Sequence, residues 1–163
     1  MKTLLRTLLS LALIVWLGAE AFFPVVAATV FKVLQPDTHT AGKIVGELLG
    51  ILHGAGLAGG MIAMAAITLL AAKHFFDPRR ALVPMGLLIV MIELTLYSQF
   101  GIIPAMEQDR ISAGGDVNAA EIGNPARIDF KRLHDRSEQV EGTILLLGLV
   151  TVVLVAREES AKS

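Results

Sequence analysis

Three stretches of this sequence each run for more than 20 residues with a single charge-bearing side chain, and nothing else narrows the fold as much. Residues 8–31 contain only Glu20, residues 48–72 only His53, and residues 81–103 only Glu93. Roughly 20 apolar residues in a helix cross a hydrocarbon core about 30 Å thick. In lipid, a helix also satisfies all its backbone polar groups within one segment. A fourth uncharged stretch, 142–156, has only 15 residues. At about 1.5 Å per residue it falls short of the core. To span, its helix starts earlier and draws Glu141 into the membrane edge. The alternative is a re-entrant or surface segment, but residues 144–155 are apolar on every face, which favours a span. The expected fold is therefore an all-α integral membrane bundle of four transmembrane helices, in one membrane domain over residues 1–163. The expected helices are about 7–34, 41–73, 78–103 and 125–156, with a helical extramembrane extension over 104–136 between helices three and four.

Punctuation along the chain supports these bounds. Pro36 closes the first helical region, and Asp77-Pro78 and Asn124-Pro125 each read as an N-cap followed by proline in the first turn. Pro104 precedes a short helical stretch, 105–113, ended by Gly114-Gly115. Lys2 and Arg6 followed by apolar residues and Ala19-Glu20-Ala21 resemble a secretory signal. The apolar run continues to Phe31, however, beyond the roughly 7–15 residues of a signal core, so a retained helix is expected. Lys2, Arg6, Lys73, Arg79, Arg80, Arg157 and Lys162 would share one side. The positive-inside rule then puts both termini in the cytoplasm of a multi-pass inner-membrane protein. A net charge of −1 gives no basic surplus for nucleic acid, and the absence of cysteine removes disulfides and thiolate metal sites. The partners expected are the bilayer and either a second copy or another membrane protein.

Small residues recur on helix two. Gly42, Gly46, Gly50 and Gly54 are four apart and continue to Ala58, and Gly56 and Gly60 repeat the spacing. Such ladders allow close helix approach, within the bundle or between copies. The chemistry resides in the ionisable groups. Glu20, His53 and Glu93 lie inside spans, with no Lys or Arg in the central parts to neutralise them. Intramembrane ionisable groups are costly and usually face the bundle interior. The rise per residue puts His53 and Glu93 at roughly 13 and 15 Å below the outer boundary, with Glu20 near mid-span and Glu141 entering from the same side. Pro24 frees the carbonyl of Glu20, and Tyr97 lies one turn after Glu93. Three readings follow: protonated acids bonding between helices, a cation or proton site, and a hydrolytic or redox centre. Carboxylate and imidazole would suit a divalent zinc, iron or manganese, but no His-x-x-x-His or Glu-x-x-His pair fixes a ligand set. Met61 and Met64 read as packing bulk.

Several segments carry a resemblance. They are Trp16-Leu17-Gly18-Ala19-Glu20-Ala21-Phe22-Phe23, Phe31-Lys32-Val33-Leu34, Ala41-Gly42-Lys43-Ile44-Val45-Gly46, residues 100–104 with Met106, and Phe130-Lys131-Arg132-Leu133-His134-Asp135-Arg136-Ser137. Together they resemble a bacterial family of unknown function related to eukaryotic transmembrane protein 205. The resemblance covers roughly 8–156 and implies a four-helix membrane protein, without a reaction, substrate or cofactor. Where that family often has Asn four residues after the Ser, this chain has Glu141. The resemblance directs attention to His134 and Ser137, which share a nominal helix face with Glu141. The expected function is a cation or proton site built from Glu20, His53 and Glu93, with His134, Ser137 and Glu141 at the outer end. The alternatives are a non-catalytic structural or accessory subunit and, third, an intramembrane enzyme.

Overall fold

The computed structural model describes residues 1–160 and is built of helices. Helix α1 spans Lys2–Val33, α2 Thr38–Ala72 and α3 Pro78–Tyr97. A π-helical turn, Ser98–Ile102, then leads without a break into α4, Ile103–Ser112, and α5 runs over Pro125–Ser160. Four segments are long and apolar enough to cross a membrane, namely Lys2–Val33, Thr38–Ala72, Pro78–Ser112 and Pro125–Glu158. The chain is thus a four-helix membrane-type bundle, in which α4 and the start of α5 carry the third and fourth of these segments on toward the connection between them.

Local chemistry sets the ends. The Asp37 carboxylate accepts from Thr40 N (2.9 Å) and caps α2. Asp77 accepts from Arg79 N (2.9 Å) with Pro78 in the first turn of α3. Asn124 accepts from Ala126 N (2.9 Å) at the start of α5. His74 (φ 57°) reverses the chain after α2, and Gly114 and Gly115 (φ 86° and 97°) do so after α4. At the end carrying the N-terminus, Glu158 is buried, accepts from Asp77 N (3.0 Å) and pairs with Arg80 (3.2 Å), locking α5 to the α2–α3 turn. At the other end, Asn118 donates to Thr38 Oγ1 (3.0 Å) and pins the long connection to α2.

The helices form a closed ring in the order α1, α2, α3, α5, with α5 returning to α1. The core is centred on Trp16 and includes Leu9, Leu13, Ile67, Leu70, Leu88, Met91 and Ile144. Glycines decide how closely the ring is drawn. A Cβ on Gly56 would stand 2.5 Å from Trp16 Nε1, and one on Gly60 2.9 Å from both Trp16 and Ile92. Gly148 of α5 lies directly against Leu17 of α1. The longer ladder on α2 behaves differently. A Cβ on Gly46 or Gly54 would meet nothing within 4 Å, and one on Gly42 or Gly50 only a distant side-chain atom. Residues four apart drift by about 40° per step around a helix, so that row does not keep to one face, and Gly42 and Gly54 at its two ends are exposed.

Candidate functional site

All four spans contribute to one polar cluster inside the bundle. Glu20, His53, Ser98 and Glu141 each lie about 20 Å along their helix from the end of the bundle that carries the long connection. On α1, Trp16 and Glu20 are one turn apart, both buried, and the indole Nε1 donates to Glu20 Oε1 (3.2 Å). Pro24 follows Glu20 by four residues and offers its carbonyl no N–H.

His53 of α2 is completely buried and sits at the centre. Its Nδ1 donates to Gln99 Oε1 (2.9 Å), and its Nε2 pairs with Glu141 Oε1 (2.9 Å). The same carboxylate oxygen accepts from Ser98 Oγ (2.9 Å). Glu141 Oε2 is buried and meets no N–H or hydroxyl donor among the described residues, while the Glu20 carboxyl lies within hydrogen-bonding reach of the Glu141 carboxyl. Glu141 and His53 are the charge-bearing neighbours of Glu20, and the two carboxyls face each other. Ser137, one turn before Glu141, is buried as well.

The π-helical turn explains why Ser98 and Gln99 both serve the cluster. Its closing bond runs from Ile103 N to the Ser98 carbonyl, five residues back. Pro104 lacks the N–H that would bond Phe100 in an α-helix, which removes the α-helical alternative at this point. Single π turns inside helices are frequent at functional positions. Here the wider turn aims one side chain at Glu141 and the next at His53.

The site expected from the sequence is therefore assembled in part. Glu20, His53 and Glu141 come together, with Ser137 close by along α5. Glu93 does not join them, because it is exposed on α3. The inward face of α3 is marked by Leu88, Met91, Thr95 and Ser98, all buried, and at about 100° per residue Glu93 lies nearly opposite. His134 does not join either. Its ring stacks on Phe130 (centroids 6.5 Å apart) and pairs with Glu138 (3.3 Å), both on its own helix, while the adjacent Leu133 takes the inward position. Tyr97 is exposed, and its hydroxyl accepts from Arg136 (3.3 Å) rather than meeting a carboxyl. Ser98 and Gln99 were not anticipated. Their signal was available, because Ser98 continues the stripe through Leu88, Met91 and Thr95 at helical spacing.

No three His, Cys, Asp or Glu side chains among the described residues gather as a metal ion would require. The arrangement is instead a hydrogen-bonded chain. Glu141 Oε1 can accept from Nε2–H or donate to Nε2 over the same 2.9 Å, so a proton can cross without any heavy atom moving. Toward the end with the termini the interior is dry. Trp16, Leu13, Ile67, Leu88, Met91 and Ile144 fill it, and Thr95 and Thr151 turn their hydroxyls back to Met91 O and Leu147 O.

Fold and site together define a multi-pass helical membrane-type protein with a buried carboxyl–imidazole cluster and a sealed floor. The family model described as a domain of unknown function, DUF4149, matches residues 11–110. The chain belongs to that family. No curated protein and no solved structure matches it. The matched residues include Trp16, Glu20, His53, Ser98 and Gln99, whereas Ser137 and Glu141 come from the span beyond the match.

Proposed function

We propose that this protein binds and exchanges protons at Glu20, His53 and Glu141 inside the membrane, reached from the end that carries the long connection. The observation that carries the reading is the fully buried His53 held between Gln99 and Glu141, with the Glu20 carboxyl set against the Glu141 carboxyl. Two carboxyls this close repel when both are ionised and bond to each other when one holds a proton, so the pair is built to take one up. Glu141 retains 16% side-chain exposure, whereas His53 has none, so Glu141 is the point of entry. The apolar floor below Trp16 opposes conduction across the bundle, and the proton would leave as it came. The reading is of a one-sided proton-binding site rather than a channel. A divalent cation is the weaker occupant, since the two acids and the imidazole do not converge on one point.

The setting belongs to the same proposal. The basic residues near the termini place both termini in the cytoplasm of a bacterial inner membrane, with the cluster opening outward. Kinship to eukaryotic transmembrane protein 205 is supported by the Phe130 to Ser137 series, which lies outside the family match. The rival reading is a structural or accessory subunit whose polar cluster only clamps helices together.

Infrared difference spectroscopy of the purified protein in lipid, between acid and alkaline pH, tests the proposal through the carboxyl C=O band. Glu20→Gln and Glu141→Gln should each remove one component and displace the other. A spectrum that neither substitution changes would sink the proton-binding reading and leave the clamp.

A further inference from the structure

Glu93 is the charge-bearing residue that the cluster does not use. It sits about 22 Å along the Pro78–Ser112 segment, near mid-span, on the face of α3 turned away from the core. Leu82, Ile89 and Phe100 share that face and are 67%, 49% and 70% exposed. Glu93 makes no hydrogen bond or ion pair among the described residues. A carboxyl turned toward acyl chains at this depth is costly, and its side chain is too short to reach either interface.

We infer that Glu93 seats a contact between two copies of this chain inside the membrane. The complementarity required is that of the carboxyl itself. No Lys or Arg lies in the central part of any span, so a second copy brings no counter-charge, only the same group. A protonated carboxyl carries one O–H donor and a free acceptor oxygen. Two of them related by a two-fold axis satisfy each other reciprocally, and two-fold contacts are the commonest in homo-oligomers. Room for the approach is present. Gly86 lies two turns before Glu93 on the same face, and a Cβ there would meet nothing within 4 Å. Small residues beside a polar pair are the usual makings of a membrane helix contact. The inference stands independently of the proton-binding reading.

The test uses the full chain in liposomes at decreasing protein-to-lipid ratio. The sequence has no cysteine, so single cysteines can be placed at will. Ile89→Cys and Leu96→Cys flank Glu93 and should cross-link between copies, whereas Leu146→Cys on exposed α5 should not. Glu93→Gln keeps a donor and an acceptor and should still dimerise. Glu93→Leu removes both and should weaken association about tenfold by energy transfer between labelled copies. Leucine is compatible with a lipid-facing position, and an unchanged melting temperature will show that the variant is folded. If Glu93→Leu fails to fold, the cross-linking pattern and Glu93→Gln still decide. The inference is overturned if the wild-type protein stays monomeric with no Ile89→Cys product. It is equally overturned if Leu146→Cys cross-links as well as Ile89→Cys, or if folded Glu93→Leu associates as tightly as wild type.

Discussion

Replacing Gly56 with alanine adds one methyl group and should disturb both the packing and the polar cluster. The new Cβ would lie 2.5 Å from Trp16 Nε1 and 3.0 Å from Cδ1 and Cε2, so the indole has to shift. That nitrogen donates to Glu20 Oε1 at 3.2 Å, already a long bond, and a displaced ring loses it. Overpacking of this kind costs about 1–3 kcal/mol, and the lost side-chain hydrogen bond within α1 about 0.6 kcal/mol more, as for other side-chain hydrogen bonds in membrane proteins. Alanine's better helix propensity returns at most about 1 kcal/mol. The net expectation is a destabilisation of about 0.6–3.6 kcal/mol. Gly54→Ala is the control on the same helix. A Cβ there meets nothing within 4 Å, so only the propensity gain remains and stability should hold or rise. Thermal unfolding in detergent gives the energies. Because Trp16 is the only tryptophan, intrinsic fluorescence reports its surroundings directly. A Gly56→Ala protein as stable as wild type, with unchanged emission, would refute the reasoning.

Two further outcomes are expected. His53→Leu and Glu141→Leu should each destabilise by about 1–3 kcal/mol, because each strands a buried polar partner. The double variant should lose about 0.6–2 kcal/mol less than the sum, and strict additivity in denaturant unfolding would show that the two side chains are not in contact. Asp37 at the start of α2 is held below its ordinary value of 3.8 by the hydrogen bonds from Thr40. The sign follows from that depression: its capping contribution is complete above pH 3.8 and is lost as pH falls through the lower folded value. Relative to its intrinsic rate, amide exchange at Thr40 should therefore accelerate in that acid window, and should show no such acceleration in Asp37→Ala. Equal acceleration in both proteins would assign the effect elsewhere.

The spans were legible in the sequence because length and the absence of charge are sufficient criteria in lipid. The levels of Glu20, His53 and Glu141 were legible too, since 1.5 Å per residue converts position into depth. Rotation about the helix axis was harder to read. In a soluble bundle, apolar residues mark the inward face, but in a membrane both faces are apolar and the hydrophobic pattern loses its phase. That is why Glu93 was expected at the site while Ser98, five residues further along, was not singled out. The polar stripe through Thr95 and Ser98 carried the phase, and one acidic side chain outweighed it. The glycine rows show the same effect. Gly42 to Gly54 has the more regular spacing, yet its four members rotate through about 120°. The shorter Gly56–Gly60 row is the one that meets Trp16. The π-helical turn was hidden for a different reason. Pro104 signals a lost hydrogen bond, but whether a helix answers with a kink or a wider turn depends on what its side chains meet, and here they meet His53 and Glu141.

The clamp and the proton site differ in what they need from the cluster. A clamp needs helices held together, and apolar side chains of similar volume do that as well as a buried ion pair, or better, because desolvation offsets the attraction. Gly56, Gly60 and Gly148 already draw α1 against α2 and α5 without any polar contact. A clamp also gains from saturated partners, since each unsatisfied buried atom detracts from it. The cluster departs from that ideal by setting two carboxyls, Glu20 and Glu141, face to face, and Glu141 is the one that keeps some exposure. Below it, Thr95 and Thr151 donate their hydroxyls to carbonyls of their own helices and the surrounding packing is apolar. The ionisable groups buried within the spans thus meet on the side where Glu141 keeps some exposure, and a one-sided proton acceptor needs that polarity whereas a clamp does not.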